Sequence, residues 1–255
     1  DHLNEPSPGY ELYLMNSDGA QQTTIKPMGL SPYSCTLAWL PQQRKLFYTD
    51  CGGSSKIVNL SDGAANPWLF PGSGDGSAVQ FSPDGDQMAY VQRDNSTWNI
   101  FVARIDGTNP QQLTNFSDNE VANAPSWSPD GEKLAFGLQS GGSANSFWVM
   151  NADGSEKEKL ADVFARLSAW SPDGQKIAFE CGIPDVTQFS NQDLCVINRD
   201  GTDLIRLTNS SAPQVAGHPT WSPDGTKIAF SIKAGAIATA PEQIYVVDAD
   251  GDNLT

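Results

Sequence analysis

Apolar and polar positions alternate along this chain in short runs that turns interrupt. The stretch 221–230, "WSPDGTKIAF", shows the pattern most clearly. Its last four residues alternate as a β-strand does, with the large Ile228 and Phe230 on one face and the small Ala229 on the other. The preceding Ser-Pro-Asp-Gly favours a tight turn, because proline fixes φ at the second turn position and glycine accepts the positive φ that follows. The pattern predicts a strand end, a turn and a strand start.

The same motif recurs at intervals of about 40 to 50 residues. It begins at Trp221, Trp170 and Trp127, in a related form at Phe81, and in an eroded form at Trp39. A second motif, an apolar strand that ends in Asp-Gly, alternates with the first and reaches its glycine at Gly19, Gly63, Gly107, Gly154, Gly201 and Gly251. Several copies are followed by a short segment that ends in Leu-Thr. Each unit therefore predicts four strands: A ends at the aromatic residue, B follows the turn, C precedes Asp-Gly, and D runs to Leu-Thr.

A period in the forties with four short strands per unit is typical of a β-propeller blade. We therefore predict an all-β chain in which residues 1–255 form a single propeller domain of four-stranded blades. A helical solenoid is the alternative for a repeat of this length. It is disfavoured because no segment places apolar residues at i, i+3, i+4 and i+7 over a useful length, and Pro-Asp-Gly interrupts the units.

These motifs resemble the TolB-type propeller repeat, a Pro-Asp relative of the Trp-Asp repeat, from Glu11 to Thr255. The copy at Trp39 departs from the family pattern, because Pro41-Gln42-Gln43 stands where Pro-Asp-Gly is expected. The resemblance implies a propeller, commonly with six blades. It implies little about chemistry, because one fold supports many functions.

The repeat pattern does not close within this sequence. The N-terminal half-blade, residues 10–26, supplies strands C and D without A and B, and the last unit stops about where its strand D begins. We therefore expect a six-bladed propeller with one blade incomplete, which a longer polypeptide or a partner chain completes. A five-bladed or open ring is the alternative, and the intact mass of the native protein distinguishes the two.

The chain carries a formal net charge of −15, with 30 acidic and 15 basic residues. This charge argues against nucleic acid or an anionic membrane surface as the main partner. No apolar run approaches the ~20 residues of a membrane-spanning helix. Much of the acidity comes from turn aspartates, namely Asp18, Asp62, Asp84, Asp106, Asp130, Asp153, Asp173, Asp200, Asp224 and Asp250. The segment 248–253, "DADGDN", resembles a calcium loop but lacks the distal glutamate, so we interpret it as a turn.

The four cysteines form two pairs, each within one predicted blade. Cys35 and Cys51 flank the A–B turn of the Trp39 unit, whereas Cys181 and Cys195 lie at the end of strand B and the start of strand C of the Trp170 unit. Neither pair has the spacing of a CxxC metal or redox motif. We predict two disulfides, with buried free thiols as the alternative. Disulfides place the chain in the periplasm, at the cell surface or in the medium.

Candidate chemistry is sparse in this sequence. It has only two histidines, His2 and His218, and no GxSxG or HExxH motif, so we predict a chain without catalytic residues, metal or cofactor. Two families of enzymes contain related propellers. Prolyl oligopeptidases carry a separate hydrolase domain, for which these 255 residues leave no room. Oligogalacturonate lyases use a histidine-rich metal site in the channel, whereas this sequence has one internal histidine, His218. Sequons that a eukaryotic secretory pathway could glycosylate begin at Asn59, Asn95, Asn115, Asn209 and Asn253.

The two ends of the predicted blades differ in regularity. The A–B and C–D turns share one face and repeat with little change, whereas the B–C and D–A loops on the opposite face differ in length and chemistry. Irregular loops on a regular scaffold are typical of a binding surface. We therefore expect an extracytoplasmic scaffold whose loop face binds a protein or a glycan, with Phe116, Arg166, Phe189, His218 and Lys233 as candidate contacts. An enzyme or sugar-binding subunit that uses the central channel is the alternative.

Overall fold

The computed structural model describes thirteen segments of the chain, and every structural statement below concerns them. They are residues 12–14, 23–25, 34–40, 45–50, 55–60, 65–68, 79–94, 97–117, 120–140, 144–182, 192–209, 214–234 and 242–254. Side chains are described for most of these residues from Ala38 onward.

Strands account for all the regular secondary structure in these segments. In chain order they are β1 (Leu12–Leu14), β2 (Thr23–Ile25), β3 (Ser34–Leu40), β4 (Lys45–Asp50), β5 (Ser55–Asn59), β6 (Ala65–Trp68), β7 (Gln80–Phe81), β8 (Gln87–Asp94), β9 (Thr97–Arg104), β10 (Gln111–Gln112), β11 (Glu120–Ala122), β12 (Ser126–Trp127), β13 (Lys133–Ser140), β14 (Ala144–Asn151), β15 (Glu158–Ala161), β16 (Phe164–Trp170), β17 (Lys176–Gly182), β18 (Gln192–Asn198), β19 (Ile205–Arg206), β20 (Gln214–Trp221), β21 (Lys227–Ala234) and β22 (Glu242–Asp248). No described residue belongs to a helix long and apolar enough to cross a membrane.

Consecutive strands pair antiparallel into meanders that match the predicted units. The Trp39 unit is β3–β4–β5–β6, the Phe81 unit is β7–β8–β9–β10, and the Trp170 unit is β16–β17–β18–β19. Strand A of the Trp127 unit is divided into β11 and β12, which both pair with β13. The prediction of an all-β propeller with four-stranded blades is confirmed. The number of blades stays a prediction.

Neighbouring blades are also joined by short parallel pairings. Val121 of β11 pairs with Trp98 of β9, and Val215 of β20 pairs with Gln192 of β18. In both cases strand A of one blade meets strand C of the blade before it. The nine- and seven-stranded sheets of this structure are therefore pairs of blades.

The core consists of apolar layers between successive blades. In three of these layers, the alanine of strand B in one blade packs with the two large strand-B residues of the next blade: Ala89 with Leu134 and Phe136, Ala135 with Ile177 and Phe179, and Ala178 with Ile228 and Phe230. The alternation in the sequence therefore sets which face of a blade receives its neighbour. In the eroded Trp39 blade, Phe47 takes the place of the alanine and meets Phe81 edge to face, with 5.5 Å between ring centroids.

The tryptophan at the end of strand A also links blades through a hydrogen bond. Its indole N–H donates to the backbone carbonyl of the residue just before the corresponding aromatic residue in the preceding blade. The pairs are Trp127 with Gln80 (3.2 Å), Trp170 with Ser126 (3.1 Å) and Trp221 with Ala169 (2.9 Å). The strand-A ends of four successive blades are thus joined in series.

Candidate binding surface

The Ser-Pro-Asp-Gly turns satisfy their own polar groups. In the turn at Ser222, the serine hydroxyl donates to Asp224 Oδ1 (2.6 Å) and accepts from the Lys227 N–H (2.9 Å), while the Thr226 N–H donates to the same aspartate oxygen (3.0 Å). The Gly225 N–H donates to the Ser222 carbonyl and closes the turn. The φ of Gly225 is 71°, which lies in the left-handed region that favours glycine. The turns that follow Ser82, Ser128 and Ser171 repeat this arrangement.

These hydrogen bonds stabilise the charged form of the turn aspartates. The hydroxyl of the serine two residues earlier is the main cause that lowers the pKa of Asp84, Asp130 and Asp173. The Ser222 hydroxyl and the Thr226 N–H and hydroxyl lower the pKa of Asp224 to about 2. A groove on this face is lined by Asp84, Asp130 and Asp153, among others, and all three carboxylates accept hydrogen bonds within their own turns. These turn aspartates therefore stabilise the turns in which they lie.

The segment 248–253 follows the same rule. Asp250 accepts a hydrogen bond from the Asp252 N–H (3.1 Å), and Asp248 accepts one from the Asn253 amide (2.7 Å) and pairs with Lys227 Nζ at 2.5 Å. Both carboxylates are thus used inside the turn and its neighbour strand. Among the described residues, no group of three or more His, Cys, Asp or Glu side chains could hold a metal ion.

The opposite end of the blades carries charged groups that the repeat does not share. Arg166 of β16 and Glu180 of β17 are cross-strand partners, with Arg166 Nη1 3.9 Å from Glu180 Oε1. The arginine side chain is half-exposed, whereas the glutamate is buried. A Cβ added to Gly217 in the next blade would lie 3.6 Å from Glu180 Oε2, so the carboxylate reaches the blade interface beside a residue without a side chain.

Burial dominates the electrostatics of Glu180. Desolvation raises its pKa from 4.5 to about 7, and the positive charge of Arg166 only partly opposes this shift. Glu180 is not among the contact residues predicted from the sequence. The sequence nevertheless contains a signal for Glu180. It follows the strand-B phenylalanine of its unit, a position that Gly137 and Ser231 occupy in the neighbouring units, so a carboxylate there departs from the repeat.

A second buried acid lies near this end and has a structural role. The Thr208 hydroxyl donates to Asp193 Oδ1 (2.9 Å) and accepts from the Leu194 N–H (2.9 Å), and Arg206 pairs with Asp193 Oδ2. Two blades earlier, the Thr114 hydroxyl likewise donates to Asn99 Oδ1 (3.0 Å) and accepts a hydrogen bond from the Ile100 N–H (2.9 Å). The threonine of the Leu-Thr motif therefore continues the pairing of strand C after strand D has ended.

The predicted contact residues lie at different depths. Arg166 and Lys233 lie toward the loop ends of β16 and β21, whereas Phe116 is partly buried and packs on the core beside Phe136. The position of His218 just before Pro219 predicts a D–A loop, but His218 lies inside β20, where it is exposed at a register shift between Gly217 and Thr220. Phe189 lies outside the described residues.

The structure contains the disulfide between Cys181 of β17 and Cys195 of β18. The bond is diagonal, because Cys181 is the cross-strand partner of Asp193 and Cys195 that of Phe179. Cys51 lies outside the described residues, so the Cys35–Cys51 bond stays a prediction.

The sequon asparagines are spread over both ends of the blades. Asn115, Asn209 and Asn253 are exposed, Asn59 is partly buried in β5, and Asn95 lies outside the described residues. The Asn209 side chain accepts a hydrogen bond from Arg206 (3.0 Å). Glycosylation of these sites stays a prediction.

Comparison with known proteins agrees with this architecture. The chain is 35% identical over 167 residues to the Tol-Pal system protein TolB of Bordetella pertussis, an alignment that covers 65% of this chain and 35% of that protein. The chain thus spans about a third of the length of the TolB relatives it matches.

Solved structures extend the similarity of fold to nearly the whole chain. A TolB structure from Agrobacterium tumefaciens matches with a TM-score of 0.74 at 18% identity, covering 96% of this chain and 87% of that one. An oligogalacturonate lyase from Vibrio parahaemolyticus matches with a TM-score of 0.60 at 14% identity, covering 95% and 69%. The model of the TolB β-propeller domain matches residues 2–162. By its repeats, its blade packing and this match, the chain belongs to the TolB β-propeller domain family.

Proposed function

We propose that this chain is a non-catalytic, TolB-like scaffold that works outside the cytoplasm and binds a protein or glycan partner through its loop face. We define the loop face as the end of the blades that carries the B–C and D–A loops. Among the described residues, Arg166, Glu180, Lys233 and the exposed His218 represent this part of the molecule.

One observation carries the proposal: the two ends of the blades use their polar groups differently. On the turn face, the four Ser-Pro-Asp-Gly turns share one internal hydrogen-bond pattern. At one level near the loop face, strand A instead presents Asn123, Arg166 and Gly217 in successive blades, and strand B presents Gly137, Glu180 and Ser231. Arg166 is exposed and Asn123 and Ser231 are half-buried, so the polar groups that this level offers to a partner differ from blade to blade.

The family supports a role in a protein assembly. The Bordetella pertussis relative is named as a protein of the Tol-Pal system. We extend an assembly role of that kind to this chain, with the loop face as its contact surface. The Cys181–Cys195 disulfide supports an oxidising compartment such as the periplasm.

The alternative function is an enzyme that uses the central channel. If Glu180 were catalytic in such an enzyme, a second catalytic group would have to lie beside it. Among the described residues, Glu180 pairs with Arg166, and the two groups resemble an ion pair that positions an arginine more than they resemble a pair of catalytic carboxylates. We therefore favour binding over catalysis.

The test compares two arginines at opposite ends of the Trp170 blade. Affinity capture from the native source, read by cross-linking mass spectrometry, and a glycan array serve as the two partner screens. We expect Arg166→Ala and Lys233→Ala to reduce capture of the partner that the wild-type chain retains. The matched control Arg199→Ala, on an exposed C–D turn residue, should retain it. Equal losses from both arginine variants at unchanged melting temperature would contradict the proposal.

A further inference from the structure

We propose that Arg166 binds a carboxylate of a partner peptide and that Glu180 takes up a proton from the solvent when this carboxylate binds. We call the two side chains the Arg166–Glu180 site. The proposal rests on the proposed function, because it names the chemistry of the partner at the loop face and a control of its binding by pH.

Two arginines of the Trp170 blade lie beside buried acids, and they differ in how their N–H groups are used. Arg206 pairs with Asp193 and donates two further hydrogen bonds, of 2.9 and 3.0 Å. Arg166 Nη1 is 3.9 Å from Glu180 Oε1, which is close enough for an ion pair but too long for a hydrogen bond. Among the described residues, the Arg166 guanidinium has no hydrogen-bond acceptor. Its N–H groups are therefore available to a ligand.

Glu180 is the buried half of the site. Its side chain is 3% exposed, whereas that of Arg166 is 47% exposed. Within the part of the chain that the structure describes, the Glu180 carboxylate accepts no hydrogen bond, and a side chain on Gly217 would approach Oε2 to 3.6 Å. Burial without donors favours the neutral carboxyl, and the pKa of Glu180 is raised to about 7. The site therefore changes its charge near neutral pH.

Arg166 is the charged group that opposes the protonation of Glu180. The strands around this part of β17 carry other titratable side chains near the loop face, namely Asp193 on β18, His218 on β20 and Lys233 on β21. The pKa of Glu180 nevertheless responds to its burial and to the positive charge of Arg166. A ligand that neutralises Arg166 would therefore remove the charge that keeps Glu180 ionised.

The charges of the chain indicate which anion fits this site. A guanidinium presents its N–H groups in a planar fork that matches the two oxygens of a carboxylate. The chain has a formal net charge of −15, so a polyanion such as nucleic acid or an anionic polysaccharide would be repelled by the remaining surface. A peptide that carries one carboxylate among neutral residues avoids this repulsion. We therefore assign the site to a peptide of that kind.

Binding of the carboxylate should be linked to the protonation of Glu180. The bound carboxylate neutralises Arg166 and places a second negative charge beside Glu180, so the neutral form of Glu180 is favoured further. The complex then takes up a proton above about pH 7, and its affinity falls as the pH rises. Because pH 8 is one unit above the pKa in the free chain, we expect a loss of about tenfold in affinity between pH 6 and pH 8.

The test uses libraries of short peptides with both ends blocked, in which the central residue is aspartate, asparagine or lysine and the others are randomised neutral residues. Each library is passed over the immobilised 255-residue chain at pH 6 and at pH 8. We expect enrichment from the aspartate library at pH 6 and about tenfold weaker binding of the enriched peptides at pH 8. Arg166→Lys should weaken binding, because it keeps the charge but removes the fork. The matched control Arg199→Ala should retain it.

Glu180→Gln separates the proton linkage from the anion site. This variant should keep the preference for aspartate peptides and bind them equally at pH 6 and pH 8, because glutamine does not titrate. Calorimetry in two buffers of different ionisation enthalpy should show uptake of up to about one proton per complex at pH 8 for the wild type and none for Glu180→Gln. A pH dependence that persists in Glu180→Gln would assign it to another group such as His218 and overturn the proposal.

Failure at this site and failure of the proposed function give different results. Equal enrichment from the aspartate and asparagine libraries would overturn the carboxylate site, and so would a glycan that binds through Arg166 on the array. In either case, loss of the native partner on Arg166→Ala would leave the proposed function standing. Retention of the native partner by Arg166→Ala would contradict both.

Discussion

The indole N–H of Trp170 donates to the backbone carbonyl of Ser126, 44 residues earlier in the chain, at 3.1 Å. Both groups lie between two blades, and the Ser126 and Ser168 hydroxyls form a second inter-blade hydrogen bond of 2.6 Å beside them. Water has little access here, because Trp170 and Ser126 are both buried. The tryptophan of the repeat therefore joins its blade to the preceding one in addition to filling the core.

We predict that Trp170→Phe destabilises the chain by about 1 to 2 kcal/mol more than a matched tryptophan substitution does, because the buried Ser126 carbonyl loses its donor. The control is Trp148→Phe. It removes the same atoms, but the Trp148 indole donates to the Ser146 hydroxyl within its own strand, where the bond is only part-buried. Urea denaturation of both variants gives the difference. Equal free energies of unfolding would show that the indole contributes by packing alone.

The turn glycines are predicted to be required for their backbone conformation. Gly225 has a φ of 71°, and a Cβ at this position would lie 3.7 Å from Pro172 Cδ, which is ordinary contact. Gly225→Val should therefore lower the free energy of unfolding by about 2 kcal/mol through strain and not through a clash. Thr226→Val, one residue later on an exposed side chain, should cost much less. Thermal unfolding compares the two, and similar melting temperatures would show that this turn does not need positive φ.

The disulfide is predicted to stabilise the Trp170 blade. Cys181 and Cys195 are 14 residues apart, and a loop of this size corresponds to about 3 kcal/mol by the chain-entropy estimate. A Cys181→Ala, Cys195→Ala double variant should lose stability of that order in denaturant. If the double variant loses further stability on reduction, the remaining effect reports the predicted Cys35–Cys51 bond. Peptide mapping without reductant that finds four alkylatable thiols would contradict both bonds.

Local pattern predicted much of this architecture. Alternation in stretches such as 227–230 is enough to divide a strand into a face for the preceding blade and one for the next, and the structure packs Ile228 and Phe230 accordingly. The Ser-Pro-Asp-Gly motif likewise contains most of the atoms that its turn needs. Such features follow from the sequence because their contacts are made within about five residues or repeat from unit to unit.

Features that depend on distant contacts were not predictable in this way. The acceptor of the Trp170 indole lies in another blade, and no periodicity reveals it. Pro219 predicts a D–A loop at His218, but β20 continues past this position through a register shift, with a φ of 54° at His218. The burial of Glu180 could not be predicted from the sequence either. It depends on Arg166 across the sheet and on the following blade, and neither contact is visible in the local pattern.

Glu180 leads to the last prediction, a dependence of stability on pH. Its pKa of about 7 in the folded chain exceeds the value of 4.5 for an ordinary glutamate, because burial disfavours the charged carboxylate. The folded state therefore retains the proton when the unfolded state has lost it, and this group's contribution to stability falls as the pH rises from about 4.5 to about 7. Glu180→Gln should be more stable than the wild type at pH 8, on the order of 2 to 3 kcal/mol, and similar to it near pH 4. Arg166→Gln should move the titration to higher pH, because it removes the cation that opposes the shift. Urea denaturation across this pH range tests both variants, and parallel curves for wild type and Glu180→Gln would mean that water reaches this carboxylate in the folded protein.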